Sequence, residues 1–391
     1  MWKLQENIFS KKDLNKYASY LKSSKRLTQG KEVESFEKKF SKWNGSKYSI
    51  FVNSGSSANL LIIFTAKEFF NWKDGDEIIV PSLTWPTTVT PIIQAGLKPV
   101  FIDTNLNDLS VKYDQIKKKI TKKTKAIFLA HILGFPADIN KIKKALSNRK
   151  IKIFEDCCES IGAKFNNKKI GNFGDAGSFS FYWGHHISTI EGGMICTNNK
   201  KFYHLCRMKR SHGFAKELPP KKFNNIRKKY KNFDSNFLFL TDGFNLRSTN
   251  FNAFIGIQQL KKLNHYIKAR NYNYKLFLNE TIKYKDYVHT IIPKKIKSIS
   301  SFAFPILFKK TKYKENFKKK CKLNNIEYRP IISGNLLKQP LFKNKFKNNF
   351  FVSNKIHNFG IYLGNNQFVK INKIKTLSKI FNSIFLSDKK K

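Results

Sequence analysis

From residue 48 onward, short apolar runs alternate with longer stretches whose apolar residues recur every three to four positions. The runs Tyr48–Val52, Glu77–Val80, Pro99–Ile102, Ala126–Leu129 and Lys152–Phe154 predict strands, since brief apolar runs suit strands buried on both faces. Between them, Ser57–Phe70, Pro86–Gln94, Tyr113–Ile120 and Ile139–Leu146 predict helices. Ala176–Phe181 and Gly193–Cys196 add two further strands. Such alternation predicts an α/β fold with a mainly parallel central sheet covered on both faces. Ligands of such sheets bind beyond the carboxyl ends of the strands, so the residues after each run carry the interest. Ahead of the sheet, the first 45 residues read as an amphipathic helical arm, with Tyr17, Tyr20 and Leu21 at helical spacing. Residues 216–236 are basic and poor in apolar positions, which predicts an exposed loop. A helix over Asn250–Tyr274, a strand over Ser300–Phe308 and helices over Tyr313–Asn324 and Ile374–Phe385 follow. The expected organisation is a large domain, 1–265, and a smaller C-terminal α+β domain, 266–391.

Composition narrows the class. With 391 residues, 41% hydrophobic and 15% aromatic, the chain has ample material for a core, which excludes a disordered protein. It contains neither an apolar run of membrane-spanning length nor a signal-peptide core at its start, so it reads as cytoplasmic with no membrane partner. Five cysteines without a CxxC pair fit neither a disulfide framework nor a zinc module. Charge raises another question: 75 Lys+Arg against 26 Asp+Glu gives +49. The lysines are spread along the chain and accompany heavy use of Asn, Ile and Phe. No nucleic-acid motif goes with them, so no nucleic-acid partner is expected. A polyanion binder on the same fold stays as the non-enzymatic alternative. A positive field also suits a diphosphate-bearing substrate.

The candidate chemistry sits at strand ends. Asn53-Ser54-Gly55-Ser56-Ser57-Ala58-Asn59 joins a strand to a helix, and small residues at a helix N-terminus make a cradle for one phosphate group. It is neither a P-loop nor GxGxxG; the plainer alternative is an ordinary capped helix start. Asp156 ends the strand before Cys157-Cys158-Glu159-Ser160, where a carboxylate needs a cation or donor; it suits a protonated pyridine nitrogen, or else a simple turn. Trp85 follows another strand end and suits stacking on a flat ring, though a core Trp reads the same way. His185, His186 and Glu191 match no metal-ligand spacing, so no metal is expected.

The segment Gly177-Ser178-Phe179-Ser180-Phe181-Tyr182-Trp183-Gly184-His185-His186-Ile187-Ser188-Thr189-Ile190-Glu191-Gly192-Gly193 is the most specific. With Gly55-Ser56-Ser57-Ala58-Asn59, Phe154-Glu155-Asp156-Cys157-Cys158-Glu159-Ser160 and Asp242-Gly243-Phe244-Asn245-Leu246-Arg247, it resembles the sugar aminotransferase family dependent on pyridoxal 5′-phosphate. That resemblance implies an aspartate aminotransferase-like, fold type I architecture. In the family this segment normally carries the lysine that holds the cofactor covalently; here His185 occupies that place. A histidine there resembles the 3-dehydratase branch, as does Tyr328-Arg329-Pro330-Ile331-Ile332-Ser333-Gly334-Asn335. The other histidine-bearing branch uses an iron–sulfur cluster, and Cys157, Cys158, Cys196, Cys206 and Cys321 do not reproduce its closely spaced cysteines.

By resemblance, the expected reaction removes the C3 hydroxyl from a nucleotide-linked 4-keto-6-deoxyhexose, with GDP-4-keto-6-deoxy-D-mannose the expected substrate. Pyridoxal 5′-phosphate would cycle through pyridoxamine 5′-phosphate with L-glutamate as amino donor. Imidazole forms no lasting Schiff base, yet its ordinary pKa near ~6.5 suits proton transfer, which casts His185 as the catalytic base. Gly55, Ser56 and Ser180 are expected at the phosphate, Trp85 and Asp156 at the ring and Glu159 near its phenolic oxygen. Asn245 is expected to reach the phosphate of a neighbouring subunit, which implies a homodimer with shared active sites. His212, Arg247 and Arg329 are candidates for substrate carboxylate or hydroxyl contacts; surface roles are the alternative for His212 and Arg329. The competing enzyme reading is a nucleotide-sugar aminotransferase that recruits Lys164 or Lys168.

Overall fold

The computed structural model describes residues 1–147, 149–343, 345–346 and 350–385. Its large sheet holds β1 (Tyr48–Val52), β2 (Glu77–Pro81), β3 (Lys98–Ile102), β4 (Thr124–Ala130), β5 (Lys152–Asp156), β8 (Ala176–Ser180) and β9 (Gly193–Thr197) in the order β1-β9-β8-β5-β4-β2-β3. Between β5 and β8 lies a separate hairpin of β6 (Lys164–Phe165) and β7 (Lys168–Lys169). Every pair in the large sheet is parallel except those made by β9, so the expected α/β fold with a mainly parallel sheet is present. Side chains alternate across it: Ile50 and Val52 join Phe128 and Phe154 on one face, while Phe51 joins Phe179 and Phe181 on the other. Helices Gly55–Phe69 and Pro86–Gln94 cover the first face; Lys31–Asn44 and Asn250–Thr281 cover the second. Burial on both sides explains why these strands read as short continuous apolar runs.

A second, antiparallel sheet has the order β10-β11-β13-β12, from β10 (Val288–His289), β11 (Ala303–Phe308), β12 (Tyr328–Arg329) and β13 (Gly360–Gly364). The chain's start belongs beside it: the Trp2 indole N–H donates to the Gly364 carbonyl at 2.8 Å, and Trp2 is buried against Phe304. The two sheets draw their strands from 48–197 and 288–364, and one helix, Asn250–Thr281, runs through the proposed division near residue 265.

Two expectations need correction. Residues 216–236 include a helix, Pro220–Lys229, none of whose residues is buried. Proline in its first turn favours the helix start, but with no packed face the stretch has no apolar period to read. The N-terminal arm is two helices, Lys11–Ser23 and Lys31–Asn44, parted by an irregular link.

Candidate active site

Three loops meet at the carboxyl ends of β1, β5 and β8. After β1, Ser54 caps helix Gly55–Phe69: its Oγ accepts the Ser57 N–H and its carbonyl the Ala58 N–H, both at 3.0 Å. The first amides of a helix lack intrahelical acceptors, so those of Gly55 and Ser56 are free to face an anion. A Cβ on Gly55 would stand 2.5 Å from Ser180 Cβ and 2.9 Å from Cys158 Sγ; only glycine lets the β8 end and the helix start close into one cradle. Ser56 Oγ lies 3.0 Å from Thr87 Oγ1, which brings the next helix to the rim.

Asp156, the last residue of β5, pairs in register with Ser178 of β8. Its Oδ2 accepts from Asn59 Nδ2 and Thr88 Oγ1, both at 2.8 Å, and its Oδ1 from the Cys158 N–H at 3.1 Å. Asn59 is oriented in turn by Ser178 Oγ at 2.5 Å, and Thr88 by Thr84 Oγ1 at 2.9 Å. A carboxylate locked by three donors at a strand end is a fixed negative pole for a cationic ring nitrogen.

Three residues on, Glu159 Oε2 accepts the Leu133 N–H at 3.0 Å. Burial, with a smaller push from the Asp156 charge, moves the Glu159 carboxyl up to about 8 against that single donor, so it holds its proton at neutral pH. Tyr362 of β13 feels the Glu159 charge, and Arg329 of β12 faces its hydroxyl; burial foremost pushes Tyr362 up to about 12. Arg329 therefore does come to the Glu159 side of the site.

His185 follows β8 by five residues, its backbone N–H bonded to the Tyr182 carbonyl at 3.0 Å. The imidazole packs on Phe302 with 5.5 Å between centroids, and its Nδ1 is buried without a partner, which leaves Nε2 as the open nitrogen. Burial, then the Arg270 charge, pushes its pKa down to about 4. That corrects the expectation of an ordinary imidazole: enclosed beside a cation, His185 stands neutral throughout the physiological range. His186 points elsewhere. Ser300 Oγ donates to the Ile161 carbonyl at 2.6 Å, so the 2.9 Å contacts from His186 Nε2 to Ser300 Oγ and to the Ser300 carbonyl require the hydrogen on Nε2. It is a neutral anchor.

Of the remaining candidates, Asn245 and Arg247 lie on the stretch of chain that flanks the end of β1, where Arg247 bridges Val52 and the Asn53 N–H donates to the Leu246 carbonyl at 3.0 Å. Arg247 Nε donates to Asn245 Oδ1 at 3.0 Å, and Arg247 Nη2 lies 3.3 Å from His212 Nε2. Among the described residues, no hydrogen bond joins Asn245 to Gly55, Ser56 or Ser180 of the same chain. Trp85 is 56% exposed at the start of helix Pro86–Gln94, so it is not a core tryptophan. Lys168 sits over the Phe173 ring at 5.2 Å in the β6–β7 hairpin that also holds Lys164, a setting separate from the cradle.

His131, Glu155 and Cys157 bring donor atoms within 4.8 Å of one another. Their lone pairs are spoken for: His131 Nδ1 accepts the Ala137 N–H at 3.0 Å and Nε2 faces Glu155 at 3.2 Å. Glu155 also accepts three backbone amides, from Gly171, Phe173 and Gly174. Those bonds outweigh burial and hold the carboxyl below its usual range, as an internal brace rather than a metal site.

Sequence reasoning missed Asn59, Thr88, Tyr362 and Phe302. Asn59 did carry a signal, a polar residue heading the apolar run 60–64, whereas Thr88 sits among other threonines in the first turn of its helix. Tyr362 and Phe302 look like any sheet aromatic until the fold places them.

A parallel sheet with a phosphate-sized cradle, a locked aspartate and an aromatic at its strand ends defines an aminotransferase-like protein. The chain belongs to the DegT/DnrJ/EryC1/StrS aminotransferase family, whose model matches residues 9–380. It is similar to GDP-4-keto-6-deoxy-D-mannose 3-dehydratase from Escherichia coli O55:H7, at 37% identity over 91% of this chain and 93% of that one. The protein of that name from Yersinia pseudotuberculosis is 36% identical over 96% and 97%. A solved GDP-4-keto-6-deoxymannose-3-dehydratase holding a trapped PLP–glutamate geminal diamine superposes with a TM-score of 0.90 at 34% identity, covering 97% of this chain and all of that one.

Proposed function

We propose that this protein removes the C3 hydroxyl of GDP-4-keto-6-deoxy-D-mannose, using pyridoxal 5′-phosphate and oxidising L-glutamate, to give the 4-keto-3,6-dideoxy sugar, 2-oxoglutarate and ammonia. When bound, the cofactor supplies an electron sink and a primary amine that condenses with the 4-ketone. The residues present fit it. Gly55, Ser56 and Ser180 line a cradle that a single added methyl would fill and would hold the phosphate, and Asp156, fixed by Asn59 and Thr88, would pair with the pyridine nitrogen. Trp85 would cover the ring, and Glu159, protonated, would donate toward the phenolic oxygen.

The observation that carries the reading is His185. It stands in the segment where the family's lysine would be, with an open Nε2 and no covalent claim on the cofactor. Nε2 would take a proton from carbon and pass it to the hydroxyl leaving C3, which departs as water. Arg247, His212 and Arg329 supply donors for the glutamate carboxylates and the sugar, with the guanidinium forks suited to bidentate carboxylate binding. Asn245, which makes no hydrogen bond to Gly55, Ser56 or Ser180 of its own chain among the described residues, is assigned by family resemblance to the second subunit's phosphate in a homodimer.

The test is absorbance of the protein with added pyridoxal phosphate, before and after glutamate, then ammonia release on adding the GDP-sugar. A glutamate-dependent shift to the pyridoxamine form, no cofactor fixed to protein by borohydride, and ammonia after sugar are expected. An aminated sugar and a borohydride-fixed lysine would establish transamination instead.

A further inference from the structure

A fully buried guanidinium with no carboxylate beside it among the described residues demands an explanation. Arg270, on helix Asn250–Thr281, is 0% exposed. Its Nη1 donates to the Phe302 carbonyl at 3.3 Å and to the Asn365 carbonyl, while Nε and Nη2 have no partner among the described residues. Burial pushes it down to about 9, which leaves it charged at neutral pH. Taking such a charge from water costs several kcal/mol, and an apolar side chain of similar volume would pack there without that cost. Filling space is therefore not its role.

The backbone it holds is the one that grips the histidine pair. Residues 299–302 are bonded on every side. Asn271 takes the Ile299 carbonyl at 2.7 Å and the Ser301 N–H at 3.0 Å. The Ser300 and Phe302 amides donate to the Gly134 and Leu133 carbonyls at 3.0 and 3.1 Å. Gly134 sits at φ +93, and a Cβ there would lie 2.0 Å from the Ser300 carbonyl, so the approach is as close as backbone allows. From this clamp the Ser300 oxygens receive His186, and the Phe302 ring lies 5.5 Å from His185 and 5.9 Å from His186. Leu133, bonded through its carbonyl to Phe302, gives its own N–H to Glu159, so the same clamp touches both acid–base groups of the site.

We propose that Arg270 is a positioning residue for His185: by holding the Phe302 carbonyl it fixes the aromatic wall and the Ser300 anchor that together place the imidazole. Its charge has a second effect, favouring the neutral form of both histidines. Among the described residues, Tyr182, 6.3 Å away, and His186 are the other titratable groups facing His185. This role rests on the reading of His185 as the base.

The test uses Arg270→Met, Arg270→Lys and Phe302→Leu in the full-length protein. Imidazole carbon NMR of ligand-free protein resolves eight histidines, with His185 assigned through His185→Asn. Arg270→Met is expected to raise the His185 titration midpoint by about one unit or more, and Arg270→Lys to leave it near the parent value. Ammonia-releasing turnover should fall about 10²-fold in Arg270→Met, the scale of a slightly misplaced reacting group, with pyridoxal phosphate affinity within about threefold. Arg270→Lys should recover about tenfold of that loss, and Phe302→Leu combined with Arg270→Lys should cost less than the sum of the two. An unmoved His185 titration, or a turnover loss matched by an equal loss of cofactor affinity, overturns the proposal. If Arg270→Met does not fold, Phe302→Leu decides: unchanged turnover there overturns it too. Should the protein release no ammonia from any GDP-sugar, the function reading fails, while the titration still reports on Arg270 and His185.

Discussion

Replacing Glu159 by Gln should make the ligand-free protein more stable, and increasingly so as pH rises. The folded carboxyl is raised from 4.5 to about 8, by burial first and then by Asp156. A raised folded pKa favours the protein fully below 4.5, where both states are protonated, and that advantage is lost as pH climbs through 8. Between pH 4.5 and 7 the unfolded chain releases a proton that the folded one keeps, which costs about 1.4 kcal/mol per pH unit and reaches ~3 kcal/mol at pH 7 as an upper bound. Water reaching the half-buried side chain reduces the figure but not its sign. Glutamine keeps an oxygen for the Leu133 N–H and carries no charge. Thermal melts of parent and Glu159→Gln from pH 5 to 8 should diverge by several degrees, at roughly 2 °C per kcal/mol. Parallel curves across that range would refute the argument and mean that Glu159 ionises normally in the folded protein.

Three further outcomes follow from the geometry. Gly55→Ala places a methyl 2.5 Å from Ser180 Cβ, so pyridoxal phosphate affinity should drop at least about tenfold in an absorbance titration, with partial recovery in Gly55→Ala/Ser180→Gly. Glu155→Gln sets an amide against donors from Gly171, Phe173, Gly174 and His131, and urea unfolding should show a loss of about 3 kcal/mol or more. His185→Lys should let borohydride fix cofactor to the protein and abolish ammonia release, whereas Lys168→Met should leave both assays at parental values.

The strands and the helices between them were legible because burial on both faces writes a pattern that turn residues punctuate. Gly55 and Asp156 drew attention for the same reason, each standing at or just past a strand end, whereas Ser180 and His185 came from the family resemblance. What holds them was not. His186 and Ser300 are 114 residues apart, and the Arg270 bond to the Asn365 carbonyl spans 95; no local period encodes such pairs. Nor does a helix such as Pro220–Lys229, solvated all round, announce itself. The family resemblance assigned roles to residues that touch ligands and was silent about the clamp behind them.

The long helix Asn250–Thr281 also acts as a ruler. At one end Asn252 Nδ2 holds the Thr189 and Glu191 carbonyls, at 2.5 and 3.0 Å, closing the segment that starts before His185. Eighteen residues later Arg270 pins the clamp behind that histidine. Eighteen residues are about five full turns, so both side chains leave the helix on one face, about 27 Å apart. Inserting a single residue between them would swing one about 100° from the other and release one end of the histidine segment. A drifting lineage can lengthen the loops around Pro220–Lys229 freely, but this spacing admits change only in whole turns, and then only if the segment it measures stretches to match.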